Sequence, residues 1–209
     1  MKKQAYLFLK RSMDIFGALF GLIFLSPLFL AVALLVRHKL GSPVIFTQER
    51  AGKDGKPFTI CKFRTMTDER DKEGNLLPDE KRLTKFGILL RQTRVDEIPE
   101  LLGILTGELS IVGPRPLLIS SLGLLSEFGK GRLKMRPGMT GWAQINGNTQ
   151  LTIQEKEALD MWYVDHANLI LDIRIIFKTI WVVFFGEKRD ERKIREAFEH
   201  AQCSDRGCW

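Results

Sequence analysis

Two adjacent carboxylates, Asp96 and Glu97, stand directly ahead of Ile98-Pro99-Glu100. Pro99 disfavours the α conformation at Ile98 and suits the first turn of a helix. The spacing therefore predicts a helix that starts near Pro99, with the acidic pair at its leading edge. A helix N-terminus attracts anions through unpaired N–H groups and the macrodipole. Acidic residues also decorate helix starts for stability alone, and spacing leaves both readings open. Lys62 and Arg64 lie at period-2 spacing in an extended stretch, so both are expected on one face. That face is either a solvated surface or a basic patch aimed at phosphate. Arg115 stands between Pro114 and Pro116, which fix the backbone on both sides. A guanidinium held in that way loses less freedom on binding a phosphate; the plainer alternative is an exposed arginine in a rigid loop. Residues 136–147 then gather Arg136, Pro137, Gly138, Gly141, Trp142, Gln144, Asn146 and Gly147. This composition suits a binding loop, because glycines let backbone amides approach a ligand. No strict phosphate-loop or dinucleotide fingerprint accompanies it.

Composition narrows the classes. The 209 residues are 44% hydrophobic and 27% charged, which excludes disordered and collagen-like chains and leaves room for one domain, or one domain plus an appendage. The net charge of +7 points to an anionic partner: nucleic acid, a phospholipid surface or a phosphorylated small molecule. Cys61, Cys203 and Cys208 form no CxxC pair, so neither a disulfide framework nor a zinc site is expected, and the thiols read as reduced and cytosol-facing. His38, His166 and His200 are scattered and offer little to a metal cluster or a catalytic triad.

The elements that must position these residues begin with an apolar run. Residues 15–36 carry no charge, and a straight helix of that length just crosses a bilayer core. Lys2, Lys3, Lys10 and Arg11 precede the run, and Arg37 and Lys39 follow it. Positive charge marks the cytoplasmic side, and here it marks both ends. Pro27 lacks an N–H, which leaves the Ile23 carbonyl without its helical partner, and Ser26 can return a hydrogen bond to a freed carbonyl. A re-entrant helix–break–helix at Ser26-Pro27 satisfies these observations. A Pro-kinked span, a cleaved signal segment and a buried core helix are the competitors.

Further along, residues 44–47 and 58–66 read as strands of a hairpin around the turn 52–57. Residues 67–82 read as a solvated loop or short exposed helix. Residues 83–94 show a helical pattern with Arg91 among the polar positions. Residues 153–164 read as an amphipathic helix carrying Asp160, and residues 169–185 as a strongly apolar helix carrying Asp172, either core or flat on a membrane. Residues 187–200 are charged and helix-compatible, and residues 203–209 show no clear pattern.

Taken together and in order, these motifs resemble the bacterial sugar transferase family, the monotopic phosphoglycosyl transferases. The resemblance runs through Arg11-Ser12-Met13-Asp14, Ser26-Pro27, Val44-Ile45-Phe46-Thr47-Gln48, Lys62-Phe63-Arg64-Thr65-Met66 and Asp96-Glu97-Ile98-Pro99. It closes with Val112-Gly113-Pro114-Arg115-Pro116, Arg136-Pro137-Gly138-Met139-Thr140-Gly141-Trp142 and Leu171-Asp172, covering roughly residues 8–180. It implies the small catalytic form of the family. It also implies transfer of a phospho-sugar from a UDP-sugar to polyprenyl phosphate, with release of UMP, as the first membrane step of surface glycan assembly. By resemblance Asp96 is the nucleophile of a ping-pong reaction and Glu97 helps hold Mg²⁺. Lys62, Arg91, Arg115 and Arg136 are the implied phosphate-binding cations, and Asp160 and Asp172 are implied substrate-binding positions.

The expected fold is α+β: a membrane-embedded re-entrant helix over 1–40, a cytosolic-face catalytic domain over 41–186, and a charged tail over 187–209. A small β-hairpin and several amphipathic interfacial helices would surround one catalytic core. The expected setting is the cytoplasmic face of a bacterial inner membrane, in contact with lipid, with self-association into a homo-oligomer left open. A non-enzymatic membrane-surface adaptor is the rival reading. No nucleic-acid partner is expected, since no such fold motif is present and the basic residues are interleaved with acids.

Overall fold

The computed structural model describes residues 2–205. It joins helices to two small sheets, with a long apolar helix at the N-terminus. Helix α1 (Lys2–Lys39) is followed by strands β1 (Ile45–Ala51) and β2 (Pro57–Phe63), and then by α2 (Asp79–Arg82), α3 (Lys85–Gln92) and α4 (Glu100–Thr106). Strands β3 (Ser110–Val112), β4 (Leu117–Leu118) and β5 (Gly138–Thr140) come next, then α5 (Trp142–Ile145), α6 (Ile153–His166), α7 (Leu169–Phe185) and α8 (Glu191–Asp205).

The expected hairpin forms. β1 and β2 pair antiparallel with Phe46 opposite Lys62, and β4 adds to the other edge of β1. β3 and β5 form a separate parallel pair. Thr84 caps α3 by accepting from the Gly87 N–H at 3.0 Å, and the capping box of Thr152 and Glu155 starts α6. Residues 67–78 form a largely exposed loop, as expected, and an Asx-type turn at Asp71 organises it.

The break expected at Ser26-Pro27 does not interrupt α1, which is one continuous helix with Pro27 inside it. The physical reason lies in one hydrogen bond. Pro27 withdraws a single donor, and the Ser26 hydroxyl donates instead to the freed Ile23 carbonyl at 2.8 Å. One stripe of α1 packs on the rest of the chain: Lys10, Asp14 and Ala18 are buried toward its start, Val32 and Val36 toward its end, and Leu40 just past it. Lys10 pairs with Asp172 on α7 at 2.9 Å, and Asp14 accepts the Ile111 N–H at 2.9 Å. Past the proline, Phe29 packs on Phe63 with ring centroids 4.9 Å apart. The other faces of α1 are bare, with Phe8 73% and Ile23 74% exposed. Among the described residues this is the one helix long and apolar enough to cross a membrane. α7 bares a stripe of Ile170, Ile173, Phe177, Ile180, Trp181 and Phe184, all on one helical face. Apolar surface on this scale seeks a non-aqueous covering.

Two expectations need correcting. α6 is not amphipathic, because three of its acidic side chains, Glu155, Glu157 and Asp160, are buried along with its apolar ones. Each finds a distant partner: Glu155 pairs with Arg189, the Ser126 hydroxyl donates to Glu157, and Asp160 pairs with Arg132. The charged C-terminal segment does not stand apart from the core either. α8 buries Ile194 and Ala197 in the cluster that holds α6 and α7. No pattern was expected over residues 203–209; α8 runs on through Asp205, and residues 206–209 lie outside the described residues.

Candidate active site

Asp96 and Glu97 occupy a 3₁₀ turn, Val95–Glu97, that leads into α4 through Pro99 at its N-cap. The structure thus places the helix start and the acidic pair where the Ile98-Pro99 rule puts them. Both carboxylates are buried. Lys62, reaching across from β2, holds Glu97 at 2.6 Å and Glu100 at 3.1 Å. Arg94 approaches Glu97 to 3.6 Å and Arg115 to 3.8 Å. Beside them opens a cleft whose charged walls are Arg50, Lys62, Arg115, Glu97 and Glu100. Three cations face two anions there, and the balance suits an anionic ligand.

The two carboxylates are tuned in opposite directions. Burial drives the Asp96 pKa up and the Glu97 charge adds to it, while Lys62, Arg91 and Arg94 oppose; the net shift is upward. Burial also works against ionised Glu97, but Lys62, Arg115 and Arg94 together outweigh it and hold Glu97 below the usual carboxylate range. Burial leaves Glu100 raised despite Lys62. Asp96 Oδ1 is buried without a hydrogen-bond partner. Such an atom is costly unless it serves a function or takes a ligand.

Arg115 owes its position to a close backbone approach. Gly113 donates its N–H to the Thr140 carbonyl at 2.8 Å, and Gly138 donates to the Pro114 carbonyl at 2.9 Å. A Cβ on Gly138 would stand 2.0 Å from the Gly113 nitrogen. Gly138→Ala is therefore expected to force β3 from β5, displace Arg115, and lower both the melting temperature and activity. Circular dichroism and turnover would check this together. Arg132, itself paired with Asp160 at 2.7 Å, donates to the Arg115 carbonyl at 2.8 Å.

Of the sequence candidates, Asp96, Glu97, Lys62 and Arg115 are brought together, and Arg91 stands near enough to act on the Asp96 charge while donating to Thr65 Oγ1 at 3.0 Å. Asp160 is two steps removed and reaches the cleft only through Arg132 and the Arg115 backbone. Arg136 is not brought to the cleft; its Nε donates at 2.8 Å to the carbonyl of Gly107, the C-cap of α4. Nor is Asp172, which is fully buried and accepts Lys10 and the hydroxyls of Tyr6 and Tyr163. It fastens α1 to α7. Arg64 does not share the face of Lys62. β2 ends at Phe63, and Arg64 turns in to donate to the Ser42 and Met66 carbonyls.

Sequence reasoning missed Arg50, Glu100 and Arg94. Arg50 does carry a signal, since it alternates with Phe46 and Gln48 on the β1 face that pairs with Ile60 and Lys62.

Mg²⁺ commonly takes one or two carboxylates and completes its shell with phosphate oxygens and water. Among the described residues no three ligating side chains converge. Adjacent Asp96 and Glu97, with one oxygen unpartnered, fit that sparser requirement.

The family model for bacterial sugar transferase matches residues 5–186. The uncharacterized sugar transferase EpsL of Bacillus subtilis is 51% identical over 86% of the chain and 89% of its own length. The exopolysaccharide production protein ExoY of Sinorhizobium fredii is 38% identical over 82% of the chain and 83% of its own length. The UDP-glucose:undecaprenyl-phosphate glucose-1-phosphate transferase of Escherichia coli is 39% identical over 86% of the chain, which spans only 41% of that larger protein.

Proposed function

The chain belongs to the bacterial sugar transferase family, and from that premise we propose that it moves a phospho-sugar from a UDP-sugar to polyprenyl (undecaprenyl) phosphate. A raised, partly unpartnered Asp96 carboxylate beside a cation-walled cleft is the observation that carries the reading. Asp96 attacks the phosphorus that bears the sugar. The bond to the bridging oxygen breaks, and UMP leaves with the electron pair. The phosphate oxygen of polyprenyl phosphate then attacks the same phosphorus, forms the diphosphate and restores the carboxylate. An acyl phosphate is reactive enough to serve as donor in that second step. Lys62, Arg115 and Arg50 neutralise the charge on the phosphates as it shifts, and the Arg91 charge favours the ionised form of Asp96. Glu97 would hold Mg²⁺ together with the substrate phosphates, and that ion would reduce repulsion between Asp96 and the diphosphate.

The setting is the cytoplasmic face of the bacterial inner membrane, where a soluble donor meets a lipid acceptor. α1 is read as re-entrant, entering and leaving by that face with its turn made as a kink at Pro27 within a continuous helix. Two observations support this. Basic residues flank both ends. The chain's own core also packs on α1 before and after the proline, at Asp14 and Phe29, and a helix crossing the bilayer could not keep both contacts with one cytoplasmic domain. Cysteines placed on either side of Pro27 should be reachable from the cytoplasmic face alone in sealed vesicles.

The deciding experiment incubates detergent-solubilised protein with Mg²⁺, polyprenyl phosphate and a panel of UDP-sugars. UMP from one donor is the expected result. UDP in place of UMP would mean ordinary glycosyl transfer and would overturn the phospho-sugar mechanism.

A further inference from the structure

Arg94 immediately precedes the acidic turn, in a conformation that needs an explanation. Its backbone is left-handed, with φ 58° and ψ 14°, a region that few residues other than glycine occupy unless something holds them there. Its guanidinium bridges two carboxylates. Nη1 stands 3.6 Å from Glu97 Oε1, and Nη2 donates to Glu187 Oε1 at 3.1 Å. Glu187, just past the C-terminal cap of α7, is itself pinned. It accepts the Asn148 amide, the Thr149 N–H at 3.2 Å and the Thr149 hydroxyl at 2.5 Å, and its carbonyl accepts Gln150 Nε2 at 3.1 Å. Burial works against its charge, but Thr149, Asn148 and Arg94 outweigh it and keep the carboxyl below the usual range. Glu187 also lies one residue beyond the family match, which ends at 186.

We propose that Arg94 and Glu187 form a positioning strap that fixes the Asp96-Glu97 turn against the end of α7. The inference rests on the reading of that turn as the reacting centre. The planar fork of arginine can bridge two carboxylates at once, which the single ammonium of lysine does less well. Glu187 holds one side of the fork and so prevents the guanidinium from collapsing onto Glu97, which stays with Lys62. The left-handed backbone aims the Arg94 side chain back across the turn that it precedes.

The test uses the full chain with three single substitutions and one double. Arg94→Gly suits the left-handed backbone, so it removes the guanidinium without straining the fold. It should lower kcat about tenfold or more and change KM for the donor little. Arg94→Lys, which keeps a charge but not the fork, should not restore kcat. Glu187→Gln should lower kcat about tenfold in the wild-type background and have no further effect in the Arg94→Gly background, the signature of two residues acting as one unit. Amide hydrogen exchange at Glu97, whose N–H donates to the Arg94 carbonyl at 3.1 Å, reads the hold on the turn without turnover and should be faster in Glu187→Gln. An unchanged Glu97 exchange rate in Glu187→Gln, or a full additional loss of kcat from Glu187→Gln in the Arg94→Gly background, would overturn the strap. If the wild-type protein releases UMP from no donor, the transfer reading fails, and the exchange rate still decides the strap.

Discussion

Asp96→Asn is expected to remove UMP release by at least about a thousandfold while leaving the fold and membrane association intact. The substitution keeps shape and removes charge. Asp96 is 7% exposed, sits beside a second carboxylate, and has one oxygen with no partner. Its negative charge therefore does little for stability, and relieving the repulsion with Glu97 should leave the melting temperature unchanged or slightly higher. A loss of activity without a loss of stability separates a reacting group from a structural one. The pH profile gives an independent reading. Because burial and Glu97 raise its pKa, Asp96 takes up a proton at higher pH than an ordinary aspartate, and activity should fall on the acidic side accordingly. A variant that retains turnover would remove Asp96 from the nucleophile role, and Glu97 would be the next carboxylate to test.

The parts of this site that were legible in the sequence are those set by local rules. Pro99 marks the start of α4, and the acidic pair falls just ahead of it because proline constrains its own φ and the residue before it. The hairpin followed from two extended runs around a Gly/Pro turn, and its period-2 pattern carried Lys62 to the cleft. The same pattern failed one step later, since Arg64 lies just past the end of β2 and its donors are taken by the Ser42 and Met66 carbonyls and by the Asp68 carboxylate. A strand's last residue is not encoded by alternation.

Long-range pairings were illegible for a different reason. Asp160, Asp172 and Arg136 look alike in sequence, as charged residues in apolar or glycine-rich surroundings. What separates them is the partner each meets: Arg132, the Lys10–Tyr163 pair, or the carbonyl of Gly107. Those partners stand 28, 162, 9 and 29 residues away, respectively, and no local spacing rule reaches so far. Ser26-Pro27 is the intermediate case. Sequence chemistry identified the freed Ile23 carbonyl and the hydroxyl able to serve it, and the structure contains that bond. The same bond is what keeps α1 continuous where a break was expected.

Lys62→Met should be the most destabilising single change in the cleft, and its cost should depend on pH. Lys62 lies within 3.1 Å of both Glu97 and Glu100, and the three side chains are 19%, 10% and 4% exposed. Removing one partner of a buried ion pair typically costs about 3–5 kcal/mol, because the remaining charge is left in a poor dielectric. Here Glu97 keeps Arg94 and Arg115 at 3.6 and 3.8 Å but loses its closest cation, whereas Glu100 is left alone, since among the described residues Lys62 is the one cation within ion-pair distance of it. The sign follows from the carboxyls. In the wild-type protein Glu97 is held below its ordinary range, so its contribution to stability is present above the unfolded-state value and is lost as pH falls through the folded one. Without Lys62 the pKa of Glu97 and that of the already raised Glu100 both climb. The variant can then escape its penalty by taking up protons as the pH falls. The gap in melting temperature from wild type should therefore be widest near neutral pH and narrow toward mild acid. Adding Glu100→Gln to Lys62→Met should recover part of the stability and none of the activity, because it removes the surplus charge without restoring the cation that meets the phosphates. Thermal melts in detergent across that pH range would read both effects. A gap that stayed constant with pH would mean that Lys62 contributes packing along its stem, and the electrostatic account of the cleft would fail.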